Sequence, residues 1–161
     1  MGLMKQILLA GLLCAISFTA CKTEDKKPCP PVEEKALLTE TAEVAAYLKG
    51  AGITTATQDP MGYFYTIDKP GSEKKPHACS EVVIDYVGTL TNGTEFDKGS
   101  DVSFPLDRLI LGWQMGMPKI GEGGAITLYL PPSLAYGDEA SGEIPGHSIL
   151  IFRINLHSVK S

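Results

Sequence analysis

Clustered positive charge is missing from this sequence: no group of Lys or Arg stands out beyond the pairs Lys26-Lys27 and Lys74-Lys75, and the formal net charge is −5. That balance leaves no electrostatic footprint for nucleic acid, so function has to come from a site rather than from bulk charge. A membrane-crossing helix is missing too, since the apolar run from Ile7 to Phe18 has twelve residues where a spanning helix needs about 20. Metal chemistry lacks its usual signs: His77, His147 and His157 show no repeated ligand spacing, and none of the four cysteines stands in a Cys-x-x-Cys pair. Gly121-Glu122-Gly123-Gly124 is no phosphate loop, because the Lys-Ser/Thr that should follow is absent and a strand pattern comes next.

What is present is an ordinary globular composition in 161 residues, 43% hydrophobic and 20% charged, enough for one core and too little for two full domains. The first 20 residues stand apart. Lys5 precedes the apolar run, which ends at Thr19-Ala20-Cys21, small residues before a cysteine in the manner of a bacterial lipobox. Cleavage before Cys21 and acylation of that residue would place the protein on a membrane surface of the cell envelope through its lipid. Phe18 stands where the common pattern has an aliphatic residue, and a plain secretory signal is the alternative. Cys14 leaves with the signal, so Cys29 and Cys79 remain; in an oxidising envelope they either pair or stay separate thiols.

Behind the signal (1–20), residues 21–36 read as a flexible tether, since Lys22 to Val32 mixes charge with three prolines and offers almost nothing to bury. The stretch 37–59 reads as a helical extension. Within it, Thr39 to Lys49 carries Val44 and Leu48 four apart and ends at Gly50 and Gly52, which predicts a short amphipathic helix.

Residues 60–161 form the main domain. Strands are expected at Tyr63 to Ile67, Val82 to Leu90, Thr94 to Asp97, Ala125 to Leu130 and Ser148 to Val159. Thr91-Asn92-Gly93-Thr94 predicts a hairpin with a two-residue turn. In the last strand Leu150, Phe152, Ile154 and Leu156 alternate with Arg153, Asn155 and His157, which describes a sheet with one wet side. Leu106, Leu109, Ile110 and Trp113 have the spacing of one face of a helix from Leu106 to Met115, limited by Pro118. The expected fold class is α+β, an antiparallel sheet closed by one short helix.

Six segments carry more than periodicity does: Val83-Ile84-Asp85-Tyr86-Val87-Gly88, Gly93-Thr94-Glu95-Phe96-Asp97, Leu109-Ile110-Leu111-Gly112-Trp113, Leu134-Ala135-Tyr136-Gly137, Ile144-Pro145 and Leu150-Ile151-Phe152. In this order and at these separations the chain resembles the FKBP-type peptidyl-prolyl cis/trans isomerases. With its N-terminal signal and extension it also looks like the gliding-motility-associated lipoproteins of that family. The resemblance implies a five-stranded antiparallel sheet wrapped around a short helix, prolyl isomerase activity without cofactor or metal, and proline-containing segments of folding envelope proteins as partners. Macrolide immunosuppressants are implied as further pocket ligands.

By the same resemblance, Trp113 forms the floor of a prolyl pocket. Tyr86, Phe96, Phe152, Leu109 and Ile110 form its walls, together with Phe104 and Val102. Asp97 and Tyr136 are rim polar groups, with the Tyr136 hydroxyl and the Ile110 backbone N–H donating to ligand carbonyls, and Ile144 overhangs the site. Two departures from the family pattern stand out: Val102 replaces a common aromatic residue, and Asp97 has no clear basic partner. A thinner wall implies lower activity or looser sequence preference.

Taken one at a time, these residues have plainer readings. Asp97 is an ordinary turn carboxylate after Asn-Gly, Trp113 and Phe152 are core, and Phe64, Tyr65 and Tyr129 are strand packing. The matched segments shift the balance toward a pocket. Against the enzyme stand two other functions, a non-catalytic binder that uses the same pocket to hold or assemble envelope proteins, and a purely structural lipoprotein.

Overall fold

Antiparallel pairing throughout is what the alternating apolar pattern calls for, and the computed structural model, which describes residues 32–160, has it. The elements are α1 (Leu38–Gly50), β1 (Thr57–Gln58), β2 (Phe64–Lys69), β3 (Glu81–Leu90), β4 (Glu95–Pro105), α2 (Leu111–Gly116), β5 (Ala125–Leu130) and β6 (Leu150–Lys160). The strands form one six-stranded sheet in the order β1-β2-β5-β6-β3-β4. This is the α+β arrangement expected, with the two-residue β1 added to the five strands the family resemblance implied. The signal, Cys21, Cys29 and the tether before Val32 lie outside the described residues.

One face of the sheet carries the main core. Ile84, Leu128, Phe152, Ile154 and Leu156 meet Leu106, Trp113 and Met117 there. The short helix α2 lies close because Gly112 and Gly116 face β5; a Cβ at these positions would come within 2.4 Å of Leu130 and 2.6 Å of Leu128 side-chain atoms. The opposite face is not uniformly wet. Phe64, Tyr129 and Ile151 are register partners across β2, β5 and β6, and Val44 and Leu48 of α1 pack over them in a second cluster. The expectation of one wet side failed because Ile151, in phase with the polar Arg153, Asn155 and His157 of β6, was too little signal for a covering helix. Ala36, at the end of the presumed tether, is buried and donates its N–H to the Met61 carbonyl oxygen (2.9 Å).

Three local expectations need correction. The helix predicted from Leu106 to Met115 is broken: a 3-10 turn spans Leu106–Arg108, Leu109 and Ile110 are extended (ψ 168° and 150°), and only then does α2 begin. Gln114 Nε2 secures the break by donating to the Leu109 carbonyl oxygen at 2.7 Å. The hairpin turn is a three-residue one, in which Gly93 N–H bonds the Leu90 carbonyl oxygen and only Gly93 takes positive φ (85°), Asn92 instead accepting from Thr94 N–H (2.9 Å). Finally, β4 runs to Pro105 rather than Asp97. Its polar middle hid it, since an edge strand exposes most of its side chains. Its bulge is held by Asp85, whose Oδ1 accepts from the backbone N–H of Asp101 (2.7 Å) and from Ser100 Oγ (3.0 Å).

Candidate active site

The break before α2 has a consequence for the site. With Leu109 and Ile110 extended, both side chains reach a cavity of about 200 Å³ whose other walls are Tyr86, Asp97, Phe104, Trp113, Tyr136 and Phe152. Each element supplies its part by register. Gly88 of β3 lies opposite Phe152 of β6 on one side and Asp97 of β4 on the other, and Tyr86 follows two residues away on the same face. Trp113 comes from α2 and Tyr136 from the connection between β5 and β6.

The aromatic rings form one continuous edge-to-face run. Phe104 meets Tyr86 (6.3 Å between centroids), Tyr86 meets Trp113 (5.2 Å, 80°), Trp113 meets Phe152 (5.1 Å, 85°), and Phe152 meets Phe96 (5.5 Å, 89°). Each such contact adds about 0.5–1.5 kcal/mol beyond area burial and fixes ring orientation. Gly88 makes the last contact fit, since a Cβ there would lie 2.7 Å from the Phe96 ring and 2.9 Å from the Phe152 ring. Trp113 Nε1 is buried without a hydrogen-bond partner among the described residues, so the indole presents apolar surface to the cavity rather than a donor.

Polar groups sit at the mouth. Tyr86 Oη donates to Asp97 Oδ2 at 2.7 Å. Burial, then the hydrogen bond to Asp97, pushes the Tyr86 hydroxyl up to about 12. Burial and the nearby Asp97 likewise raise Tyr136, which is 46% exposed. Both phenols therefore stay protonated at neutral pH and can donate. Asp97 enters no ion pair among the described residues, and its neighbour Lys98 pairs with Glu95 (2.8 Å). The Ile110 backbone N–H, released from helical bonding by the extended conformation, has no partner among the described residues.

Of the eleven pocket residues anticipated from the sequence, the structure brings eight to this cavity. The others stand one layer back. Phe96 supports Phe152 from behind, Ile144 is packed in the main core, and Val102 packs against that core beside Gly99. Cys21 lies outside the described residues.

Sequence reasoning passed over a set of polar groups behind the rim. Glu40 of α1, only 4% exposed, accepts from the backbone N–H of Ser133 (3.1 Å) and from the Ser133 hydroxyl. His147 sits between Asp138 (Nδ1 to Oδ1, 2.7 Å) and Glu43 of α1 (Nε2 to Oε2, 3.1 Å). These contacts join residues 93 and 104 positions apart, and no local pattern announces them.

The family described as FKBP-type peptidyl-prolyl cis-trans isomerase matches residues 72–157. A Buchnera aphidicola (subsp. Schizaphis graminum) protein named FKBP-type peptidyl-prolyl cis-trans isomerase FkpA is 41% identical over 119 residues, covering 71% of this chain and 45% of the relative. The chain thus spans less than half the length of that relative. The crystal structure of FkpA from Escherichia coli resembles it with a TM-score of 0.68 at 35% identity, covering 76% of this chain and 60% of that one. A peptidyl-prolyl cis-trans isomerase structure from Pseudomonas syringae gives a TM-score of 0.68 at 28% identity, covering 76% of this chain and 95% of its own.

Proposed function

Because the chain belongs to the FKBP-type peptidyl-prolyl cis-trans isomerases, we propose that it accelerates the cis/trans isomerisation of X-Pro bonds in folding proteins of the cell envelope. The observation that carries this reading is the cavity walled by Tyr86, Phe104, Trp113 and Phe152 with Asp97 and Tyr136 at its mouth. Rotation about a peptide bond meets a resonance barrier of roughly 18–20 kcal/mol. Twisting the amide removes that resonance and leaves its carbonyl less polar, so a dry apolar wall binds the twisted form better than the planar one. No nucleophile, metal or cofactor enters the scheme. Each tenfold of rate requires about 1.4 kcal/mol of such differential binding.

In this reading Trp113 receives the pyrrolidine ring. Tyr86, Phe152, Leu109, Ile110 and Phe104 close around it, and Phe96, Val102 and Ile144 hold those walls from behind. The Tyr136 hydroxyl and the Ile110 N–H donate to substrate carbonyls, and Tyr86 orients Asp97 beside the twisting bond. The same pocket would take macrolide immunosuppressants. A non-catalytic holder of proline-containing segments would use the same walls, and the lack of a basic partner for Asp97 among the described residues is the feature in its favour.

The envelope setting rests on the sequence before Val32. We propose a signal over 1–20, lipidation at Cys21, a tether to about residue 36, a helical extension to residue 59 and the isomerase domain beyond it. No helix among the described residues is long and apolar enough to cross a membrane. The resemblance to the gliding-motility-associated lipoproteins rests on that signal together with the extension over 37–59. Mass spectrometry of the mature N-terminus tests the anchor: an unmodified residue other than Cys21 removes it.

A protease-coupled assay on X-Pro peptides tests the activity. Wild type should accelerate isomerisation, and Phe152→Ala or Asp97→Ala should remove most of the acceleration in a folded protein. An inert wild type that still binds unfolded protein would transfer the reading to the holder.

A further inference from the structure

We propose that α1 is a positioning element for the active-site rim: Glu40 and Glu43, one turn apart on a helix packed against the sheet face opposite the cavity, hold the connection between β5 and β6 that carries Tyr136. The inference rests on the isomerase reading of the cavity and extends it to a helix outside the matched region 72–157.

The rim connection has no ladder pairing with the sheet. Leu134 and Ile144 anchor it in the main core, and between these anchors its backbone is ordered by turns of its own: Ala135 and Gly137 N–H both bond the Pro132 carbonyl oxygen (2.9 Å each), and His147 N–H bonds the Gly137 carbonyl oxygen (3.0 Å). These bonds close two small loops, one around Tyr136 and one around Asp138 to Gly146. Both are tied to α1 from outside. Ser133, three residues before Tyr136, gives its backbone N–H and its hydroxyl to the buried Glu40 carboxyl group. His147, at the far end, bridges Asp138 to Glu43. A bond to a buried carboxyl group tolerates little movement, because leaving that group unpaired is costly. The Tyr136 ring, 46% exposed and with no side-chain hydrogen bond among the described residues, takes its place over the cavity from this backbone.

The second tie responds to pH. Asp138 first and Glu43 second hold the His147 imidazole above its ordinary value of 6.5. The charged groups that face it are Glu40 and Glu43 from α1 and Asp138 from the rim. As pH rises through that raised value the imidazole loses its charge and the tie to Glu43 weakens, while the tie through Ser133 stays.

Hydrogen exchange on the full chain reads positioning directly. In Glu40→Ala and Ser133→Ala, but not in Glu40→Gln, whose amide oxygen still accepts both Ser133 bonds, the amides of Ala135, Gly137 and His147 should exchange at least about tenfold faster, with β5 and β6 amides unchanged. The two alanine variants should lose about three- to tenfold in kcat/KM, the range one lost hydrogen bond produces. Adding Tyr136→Phe to Glu40→Ala should cost less than Tyr136→Phe costs alone, the non-additivity expected of residues acting through one another. A helix that merely stabilises the fold would lower the melting temperature without moving that cycle. In the pH series, wild-type rim exchange should rise toward the level of Glu43→Gln, which itself should show no such step.

Unchanged rim exchange in folded Glu40→Ala and Ser133→Ala overturns the proposal. So does faster exchange with unaltered kcat/KM in an active wild type, or full additivity with Tyr136→Phe. If wild type shows no isomerase activity, the functional reading fails on its own, and the exchange data still decide whether α1 holds the rim.

Discussion

Gly88 is where a single hydrogen atom in place of a side chain matters most to the site. An added methyl group would meet the Phe96 and Phe152 rings within 3 Å, forcing the edge-to-face run apart. Gly88→Ala should therefore cost about 1–3 kcal/mol of stability, as overpacking does, and lower kcat/KM by tenfold or more; denaturant unfolding and the peptide assay check the two effects. The protein has a single tryptophan, Trp113, and its fluorescence should shift in the same variant because it touches Phe152.

Tyr86 offers a second residue-scale test. Its hydroxyl, pushed up to about 12 by burial and Asp97, is neutral in the fold when a free phenol would already ionise. A raised value contributes stability that is full below about 10 and is lost as pH climbs from there toward 12. Burial also raises Tyr63, Tyr129 and Tyr136, so in an absorbance titration at 295 nm the late ionisation that Tyr86→Phe removes is the one that belongs to Tyr86. Asp97→Asn should shift it downward, while burial, the larger cause, keeps it above the ordinary value.

At the scale of elements, α1 and α2 were unequally legible. The bounds of α1 follow from Val44 and Leu48 and the glycines after it, whereas its place on the sheet does not. The sequence around α2 shows helical spacing through Leu106, Leu109 and Ile110, yet two of these residues are extended. Period alone cannot tell a helix from a 3-10 turn and a kink that put the same side chains on one side. The docking of α1 is testable through Leu48, buried against Phe64, Tyr129 and Ile151. Leu48→Ala should cost about 2–4 kcal/mol in denaturant unfolding. A cost near zero would mean that α1 is not held on the sheet.

For the molecule as a whole, Cys79 is disulfide-bonded, and the other three cysteines lie outside the described residues. A native disulfide contributes typically about 2–4 kcal/mol, so reduction should lower the melting temperature by several degrees. Peptide mapping of the mature protein identifies the partner; a bond from Cys79 to Cys29 would pin the tether to the strand side of the domain. Charge should matter little to catalysis in spite of the net −5, because Asp97 is the only carboxyl group among the described residues that line the cavity. Activity on uncharged X-Pro peptides should vary less than about twofold with added salt, since screening acts on charge pairs that this wall lacks.

By itself the sequence determined the antiparallel sheet, down to the limits of β5, and the residue types of the pocket. The sheet follows from a local rule, since alternation in a strand has period two whatever lies across from it; the pocket residues came from the order and separations of the six matched segments, because one at a time they read as core, turn or strand packing. Tertiary structure alone decided that Leu109 and Ile110 leave the helix to face the cavity, that α1 covers the second face of the sheet, and that Glu40 reaches Ser133. Contacts between residues 93 positions apart depend on where the chain is carried by everything between them, and a buried carboxyl group looks like any other glutamate until its partner arrives.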